Sequence, residues 1–494
     1  MQNKTAAFFD SVFCLSGAWQ SYINENDTSI HSLKHTRTST QTLAMAVACG
    51  NSFTLVATEN GDMYSFGVNS HGQLGDGSPD DKYEPHLVSR EDSFAAEEIV
   101  MLAASGFLSA AVTKQGSLFT WGYRQGIGHR DPGRLSKEHF GNSHVVMVDC
   151  GFHNIIVLTA SGQVWICGQI CPGFSIPPLI DIDAFRLVDP ERFNNRKIVM
   201  IACGARHMMA LDEDGILWTW GDNFFGELCH MTAAGFQNNQ RGGTRHPVAM
   251  TTTIFGDEKV VHMSGGDFYT MVVTEDGSLW ACGNGHWGNL GVGSLAEIFT
   301  PERIGGSEMF GGQGVRTTSC GRDHTLILGK DNRMWVTGKM GDGESTCVFP
   351  MLIPDTAKFI NGNIMTVSAG RRHSAAVMCD GTVYTWGKGT CNSRGKIRPA
   401  GLGQPDGDDV PTPSQLNPAL FHGACVGHWH SWFNTHPDHA MAAAMSNHTR
   451  LGADTQLGNT PSEILYRILG EDMRFKPEYS AGLLALLGLP NRGV

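Results

Sequence analysis

The sequence has no apolar run as long as the roughly 18 residues that a membrane-spanning helix needs. It also has no cluster of lysine and arginine. Because contacts to nucleic-acid phosphates need such clusters, direct binding of nucleic acid is not expected. The chain carries 36 basic and 48 acidic side chains, a net charge of −12. These features predict a soluble protein with an ordinary acidic surface.

Motifs that mark common enzyme classes are also missing. The chain contains no G-x-x-x-x-G-K-[ST] phosphate loop, no G-x-S-x-G nucleophile turn and no H-E-x-x-H zinc helix. Possible metal ligands gather near the C-terminus, but their spacing matches no known zinc pattern. They are His422, Cys425, His428, His430, His436 and His439. We therefore predict no catalytic residue, no metal and no cofactor.

Cysteine use and the first residues bear on the compartment. The 13 cysteines are odd in number, and we interpret them as core residues of a protein in a reducing compartment. Asp10 interrupts the apolar run that begins at Ala6, so a signal peptide is not expected. These observations favour an intracellular location, in the cytoplasm or nucleus.

A short phrase occurs seven times along the chain. In its clearest copy, Gly204–Gly221, we number the first glycine position 0, so that the closing glycine is position 17. The other copies span residues 50–67, 105–122, 151–168, 266–283, 321–338 and 370–387. The internal spacing is constant, whereas successive copies start 46 to 62 residues apart. This contrast indicates a repeat architecture of rigid units joined by variable loops.

Each copy predicts a β-hairpin. Positions 5 and 7 are apolar in every copy, an alternation typical of a half-buried strand. Position 11 is glycine, or Asn332 in one copy, which suits a tight turn with positive φ. Position 14 is always aromatic, and we expect it to pack between neighbouring sheets. Three copies have histidine at position 3 (His207, His324 and His373), which we interpret as hydrogen-bonded ties between adjacent strands.

Seven such hairpins can bury their faces by packing radially around a central channel. Position −1, just before each copy, is always small, as expected where backbones converge at the channel. The residues at this position are Cys49, Ala104, Cys150, Cys203, Gly265, Cys320 and Ala369. The repeat therefore predicts an all-β, seven-bladed propeller.

The phrase resembles that of the RCC1 repeat family, named for the regulator of chromosome condensation. The resemblance rests on Ala48-Cys49-Gly50, on Tyr64-Ser65-Phe66-Gly67 and on Asn69-Ser70-His71-Gly72-Gln73-Leu74-Gly75. The run Cys320-Gly321-Arg322-Asp323-His324-Thr325 also matches the family phrase. The resemblance covers about residues 44–433 and implies the propeller fold, while a propeller scaffold implies little about function by itself.

Three parts of the chain follow from this pattern. Residues 1–43 hold a polar linker and, near 10–17, an isolated second strand. Residues 44–433 form the propeller and end in an isolated first strand near 427–433. Pairing of the two isolated strands would protect sheet edges and leaves an eight-bladed ring as the alternative to seven blades. Residues 434–494 predict a short helical extension, with a helix start at Thr460-Pro461.

Repeat positions 1 and 2 should lie at the end of the channel, which we call the channel mouth. In proteins of the resembling family, these positions carry the acidic residues with which the founding member releases nucleotide from the GTPase Ran. Here Asp267 and Asp323 fall in consecutive copies and echo that acidic pair. The partner-binding residues predicted at the mouth are Arg206, Asp267, Phe268, Arg322, Asp323, Arg371 and Arg372.

The sequence thus predicts a non-enzymatic scaffold for protein interactions. One propeller face and the C-terminal extension would bind protein partners, within a larger assembly. The alternative from another functional class is a guanine-nucleotide exchange factor for a Ran-like small GTPase.

Overall fold

A computed structural model of the chain describes residues 44–124, 127–152, 154–168, 185–230, 243–339, 345–353, 364–388, 402 and 410–416. These residues form seven four-stranded antiparallel sheets. The fold is therefore the predicted all-β propeller with seven blades. The strand predicted near 10–17, the strand near 427–433 and the helical extension 434–494 all lie outside the described residues.

Each blade consists of four strands that follow one another in the chain. Blade 1 contains β1 (Ala44–Cys49), β2 (Phe53–Thr58), β3 (Met63–Gly67) and β4 (Lys82–Val88). Blade 2 contains β5 (Ile99–Ser105), β6 (Leu108–Thr113), β7 (Leu118–Arg124) and β8 (Ile127–Leu135). Blade 3 contains β9 (Val145–Cys150), β10 (Asn154–Thr159), β11 (Val164–Gly168) and β12 (Arg186–Leu187). Blade 4 contains β13 (Ile198–Cys203), β14 (His207–Asp212), β15 (Leu217–Gly221) and β16 (Thr244–Ala249).

The remaining blades repeat the same order. Blade 5 contains β17 (Val260–Gly265), β18 (Tyr269–Thr274), β19 (Leu279–Gly283) and β20 (Ile298–Arg303). Blade 6 contains β21 (Val315–Cys320), β22 (His324–Gly329), β23 (Met334–Lys339) and β24 (Thr346–Leu352). Blade 7 contains β25 (Ile364–Ala369), β26 (His373–Met378), β27 (Val383–Gly387) and β28 (Val410–Gln415). Short helices precede five inner strands: one α-helix, Arg90–Ser93, and the 3-10 helices Lys137–Phe140, Pro190–Phe193, Thr252–Phe255 and Ser307–Phe310.

The second strand of every blade is buried on both faces. The alternation at positions 5 and 7 predicted a half-buried strand, and that prediction is wrong. Each second strand lies inside its sheet while the blades on either side cover both of its faces. Residues between the alternating positions, such as Val56 and Ala111, are therefore as buried as Leu55.

The predicted turn is confirmed. Gly215 in the fourth copy has φ of 82°, and Asn332 adopts 61° at the same repeat position. Asparagine is among the few residues other than glycine that enter this region readily. The turn joins the second strand to the third at the end of each blade opposite the channel mouth.

A phenylalanine eleven residues before position 0 is a repeat signal that the sequence analysis missed. It packs edge-on against the position 14 aromatic ring of the following blade, with ring centroids 5.3 to 5.9 Å apart. The pairs are Phe94–Phe119, Phe140–Trp165, Phe193–Trp218, Phe255–Trp280 and Phe310–Trp335. The predicted packing of position 14 between sheets thus has a specific partner in each of these blades.

Blade 1 contacts blade 7 directly. The Cys49 amide donates to Ser368 Oγ at 2.9 Å, and the Arg371 amide donates to the Gly50 carbonyl at 3.3 Å. All four strands of blade 1 and of blade 7 come from residues 44–88 and 364–415. The ring therefore closes without the isolated strands near 10–17 and 427–433, and the eight-bladed alternative does not apply.

Two cysteines depart from the interpretation as unpaired core residues. Cys229 and Cys282 form a disulfide with Cα atoms 5.6 Å apart, 53 residues apart in sequence. Others, including Cys49 and Cys203, are buried and outside any disulfide, as expected. The number of cysteines and their positions in the repeat could not reveal that Cys229 of the blade 4 loop meets Cys282 of blade 5.

Candidate site at the channel mouth

The central channel is a cavity of about 230 Å³ lined by the first strand of every blade. All seven position −1 residues line it, which confirms that small side chains mark the point where the backbones converge. Asp149 contributes a carboxylate to this wall and accepts hydrogen bonds from the amides of Cys150 and Cys203, at 2.8 and 2.7 Å. Burial raises the pKa of Asp149 to about 6.

The position 3 histidines join neighbouring blades. The Nε2 atoms of His207, His324 and His373 lie 2.8 to 3.0 Å from hydroxyls at position 4 of the next blade. Those hydroxyls belong to Thr270, Ser374 and Thr54. The predicted structural role of these histidines is confirmed, with the difference that they tie blades together rather than strands of one sheet.

Backbone hydrogen bonds fix the residues at the mouth. The amide at position 18 donates to the carbonyl at position 2 in five blades, at 2.8 to 3.0 Å. The accepting carbonyls are those of Ser52, Arg206, Phe268, Asp323 and Arg372. In these five blades the bonds anchor the first turn of the repeat to the end of the third strand. The backbone that carries the position 2 side chains is therefore held in place.

Four of the predicted mouth residues form one charged network. Asp323 is central to it, with its Oδ2 atom 3.1 Å from Arg372 Nε and its Oδ1 atom 3.3 Å from Arg322 Nε. Arg322 Nε also lies 3.7 Å from Asp267 Oδ2. The network thus joins blades 5, 6 and 7 at the mouth. Its members on different blades are 49 to 56 positions apart in sequence, and the two on blade 6 are adjacent.

The other three predicted residues lie around this network. Arg206 Nη1 is 3.9 Å from Asp222 Oδ2, and Phe268 packs edge-on against Phe225 with ring centroids 5.3 Å apart. Arg371 borders the cavity and binds blade 1 through its amide. The mouth on blades 4 to 7 therefore combines four arginines with aromatic and acidic side chains.

The two acids of the mouth differ in environment. The side chain of Asp323 is 2% exposed, whereas that of Asp267 is 25% exposed. Burial raises the pKa of Asp267 to about 6, an effect that Asp323 reinforces and that Arg322 opposes. Neither acid therefore stands as an exposed, unpaired negative charge.

Sequence reasoning assigned no site residue to the loops between third and fourth strands that border the mouth. Glu227 in the blade 4 loop is fully buried, and its carboxylate accepts hydrogen bonds from the amides of Phe224 and Phe225 at 3.1 and 2.7 Å. Burial raises its pKa to about 7. In the blade 1 loop, His71 packs on Phe107 at 4.6 Å. The shared G-x-L-[GC] pattern of these loops was the available signal.

Two cysteine thiols beside the channel are not activated as nucleophiles. Burial raises the pKa of Cys49 to about 11 and that of Cys320 to about 12, so these thiols stay protonated and are poor nucleophiles. Within the described ranges, no group of three or more histidine, cysteine, aspartate and glutamate side chains is placed to hold a metal ion. The cluster from His422 to His439 lies outside those ranges.

Comparison with known families supports the fold. A family model described as RCC1-like domain matches residues 23–344, and a second, described as Regulator of chromosome condensation (RCC1) repeat, matches residues 366–395. In the part of the chain that the structure describes, no helix is long and apolar enough to cross a membrane.

Three curated relatives illustrate the range of matches. The chain is 32% identical to the Ultraviolet-B receptor UVR8 of Arabidopsis thaliana, over 56% of this chain and 61% of the receptor. It is 29% identical to the RCC1 domain-containing protein RUG3, mitochondrial, of the same plant, over 51% of this chain and 57% of that protein. The Xenopus laevis Regulator of chromosome condensation is 25% identical, over 73% of this chain and 85% of that protein. The chain thus spans about three fifths of the first two relatives.

Solved structures resemble the fold at lower sequence identity. Prp20p from Saccharomyces cerevisiae superposes with a TM-score of 0.58 and 20% identity, covering 78% of this chain and 89% of Prp20p. Human WBSCR16 gives a TM-score of 0.57 and 22% identity, covering 69% and 88%. At these identities the likeness establishes shared architecture alone.

Proposed function

The chain belongs to the RCC1-like domain family, and on that premise we propose that it is a non-enzymatic scaffold that binds protein partners through its channel mouth. Members of the family act in protein interactions or as exchange factors for the GTPase Ran. The observation that carries the proposal is the network of Asp267, Arg322, Asp323 and Arg372. It presents charged groups at one end of the channel that the seven first strands line.

The side chains at the mouth have the properties of a protein-binding surface. Arg322 and Arg372 are 35% and 50% exposed, and arginine and aromatic residues are enriched among the residues that dominate binding energy at protein interfaces. Phe268 and Phe225 supply a partly buried aromatic pair beside the charges. A rigid backbone under these groups lowers the entropy lost on binding.

Capture of partners from an extract of the native source tests the proposal. The bait is the full chain, compared with a double variant, Phe268→Ala with Arg322→Gln, and with Arg333→Gln as control. Arg333 also binds an aspartate through Nε and is 42% exposed, but it belongs to the turn at the opposite end of blade 6. We expect at least one partner to be lost with the mouth variant and kept with the control. Identical partner sets for all three baits would contradict the proposal.

The C-terminal segment is proposed as a second binding element, within a larger assembly. Its apolar helical pattern, including Ile464-Leu465 and Leu483-Leu484, is the basis for this. Deleting residues 440–494 should weaken partner capture while leaving the thermal transition of the propeller in place. Capture that is unchanged by the deletion would remove this element from the proposal.

Nucleotide exchange on a Ran-like GTPase is the second candidate. It is favoured by the match to the Xenopus Regulator of chromosome condensation over 85% of that protein. The geometry of the acidic pair does not favour it, because Asp323 is buried and two arginines bind it. Release of labelled GDP from a panel of small GTPases decides between the two candidates. Accelerated release that is lost in Asp267→Ala and Asp323→Ala would establish exchange through these residues.

An intracellular location, in the cytoplasm or nucleus, belongs to the same proposal. Imaging of the tagged full chain in its native cells tests it, and a signal confined to the secretory pathway would contradict it.

A further inference from the structure

Two arginines at the mouth are held by one buried carboxylate. Arg322 of blade 6 and Arg372 of blade 7 bind opposite oxygens of Asp323, at 3.3 and 3.1 Å. Asp323 is 2% exposed, while the two arginines are 35% and 50% exposed. We call these three residues the arginine clamp. Both guanidinium groups therefore contact the same carboxylate, and Arg322 also borders the channel.

The contacts use a small part of each guanidinium group. Arg372 Nε donates a hydrogen bond to Asp323 Oδ2, and Arg322 Nε forms an ion pair with Asp323 Oδ1. Nε carries one of the five N–H donors of each guanidinium group. The remaining four donors sit on the two Nη atoms in a planar fork that matches an oxyanion. The hydrogen bond at Nε therefore orients the fork of Arg372, and ion pairs with Asp323 and Asp267 hold the fork of Arg322 beside it.

The main chain beneath the clamp is also fixed. The Arg322 amide donates to the Gly370 carbonyl of blade 7 at 3.4 Å. The carbonyls of Asp323 and Arg372 accept from the amides of Lys339 and Lys388, at 2.8 and 2.9 Å. Both arginines are thus oriented by the fold before any ligand arrives.

The charge balance of the mouth differs from that of the chain. Repeat positions 1 and 2 carry four arginines and two aspartates, against a chain total of 36 basic and 48 acidic side chains. Counting position 18 as well adds Asp222, Lys339 and Lys388, which gives six positive charges and three negative ones. An anion therefore meets a local positive surplus on a protein that is acidic as a whole.

We propose that the arginine clamp binds an oxyanion-bearing side chain of the protein partner, a carboxylate or a phosphoserine in an acidic segment. This inference rests on the proposed function and names the chemistry of the partner. The fixed forks provide charge-assisted, directional hydrogen bonds. Asp323 is a positioning residue: it holds the two forks and makes no contact with the ligand.

Fluorescence anisotropy with the full chain tests the proposal. The probes are labelled hexaglutamate and a phosphoserine peptide, with hexalysine and oligothymidylate as the contrasting probes. We expect binding of one or both acidic peptides that weakens as salt rises, and no binding of hexalysine. The tighter of the two acidic peptides identifies the natural oxyanion. Oligothymidylate that binds more tightly than both peptides would overturn the proposal in favour of a nucleic acid.

Variants separate the clamp from general electrostatics. The double variant Arg322→Gln with Arg372→Gln should bind the acidic peptide at least about tenfold more weakly. Arg372→Lys keeps the positive charge, but a lysine cannot contact Asp323 through one nitrogen and present a planar pair of donors with two others. It should therefore also weaken binding. Arg333→Gln, which removes an equally exposed arginine at the opposite end of the blade, should bind as the wild type does.

Asp323→Asn gives the most discriminating result. Removing a negative charge strengthens anion binding if only net charge matters, whereas losing the anchor weakens it if the forks must be positioned. We expect weaker binding, with the melting temperature confirming that the variant is folded. Tighter binding would overturn the positioning role. If neither acidic peptide binds while partner capture still depends on the mouth, this inference falls and the proposed function stands.

Discussion

The histidine at position 3 shows how single side chains join the blades. His373 crosses the point where blade 7 meets blade 1, with Nε2 3.0 Å from Thr54 Oγ1. It is buried, and burial lowers its pKa to about 3. The neutral ring is therefore the form that the folded protein requires.

Replacing His373 with glutamine should lower the free energy of unfolding at neutral pH by about 1–3 kcal/mol, because a buried hydrogen bond is lost. The deficit should shrink in acid. Below the unfolded pKa of about 6.5, the wild-type histidine takes up a proton when the chain unfolds and none when it is folded. For each pH unit below about 6.5, the free energy of unfolding of the wild type therefore falls by up to about 1.4 kcal/mol more than that of the variant. Urea unfolding at several pH values between neutral and mildly acidic measures this, and a pH-independent gap would contradict it.

At the scale of elements, the disulfide stands where the loops of two other blades pack a glycine against the third strand of the next blade. Cys229 has φ of 61° and stands where the loops of blades 1 and 5 have Gly75 and Gly291, with φ of 72° in both. A Cβ atom at Gly75 would meet Trp121, and one at Gly291 would meet Thr337. In the same place, Cys229 meets Cys282. The two cysteines therefore occur as a pair at these repeat positions, and their disulfide links the blade 4 loop to blade 5.

Reduction should destabilise the wild type by about 2–4 kcal/mol, the usual contribution of a disulfide. The double variant Cys229→Gly with Cys282→Thr copies the pair found between blades 5 and 6. Its melting temperature should be the same with and without reductant. Calorimetry under both conditions measures the difference, and a wild type that is insensitive to reductant after full reduction would contradict the expected contribution.

The aromatic pairs between blades make a second prediction at this scale. Phe310 is 1% exposed against Trp335, whereas its neighbour Met309 is 38% exposed. Phe310→Ala should lower the free energy of unfolding by about 3–5 kcal/mol, because it leaves a cavity in the core. Met309→Ala, the adjacent control, should change it by less than about 0.5 kcal/mol. Equal effects in urea unfolding would show that the aromatic pair does not support the blade.

At the scale of the whole molecule, the described strands close the ring unaided. Each blade uses its own consecutive strands, and blade 1 meets blade 7 through Cys49, Thr54 and Arg371. Removal of residues 1–43 should therefore leave the thermal transition within a few degrees of that of the full chain. A large drop in melting temperature would show that the N-terminal segment contributes to closure.

The sequence by itself determined the architecture because that architecture repeats. Seven copies with one internal spacing indicated seven hairpins, the glycine at position 11 indicated the turn, and the small residue at position −1 indicated the channel. Positive φ and steric crowding restrict which residue type fits at a single position, so the residue type found there indicates them. The phenylalanine before blades 2 to 6 carried the same kind of information.

Tertiary structure alone decided which side chains meet. Both faces of the second strand are covered by other blades, so its pattern could not show full burial. Cys229 finds Cys282, and Arg322 and Arg372 converge on Asp323, because rotation about the channel brings neighbouring blades together. The sequence placed these residues at the mouth, but burial of Asp323 and the orientation of its two arginines depend on packing between blades.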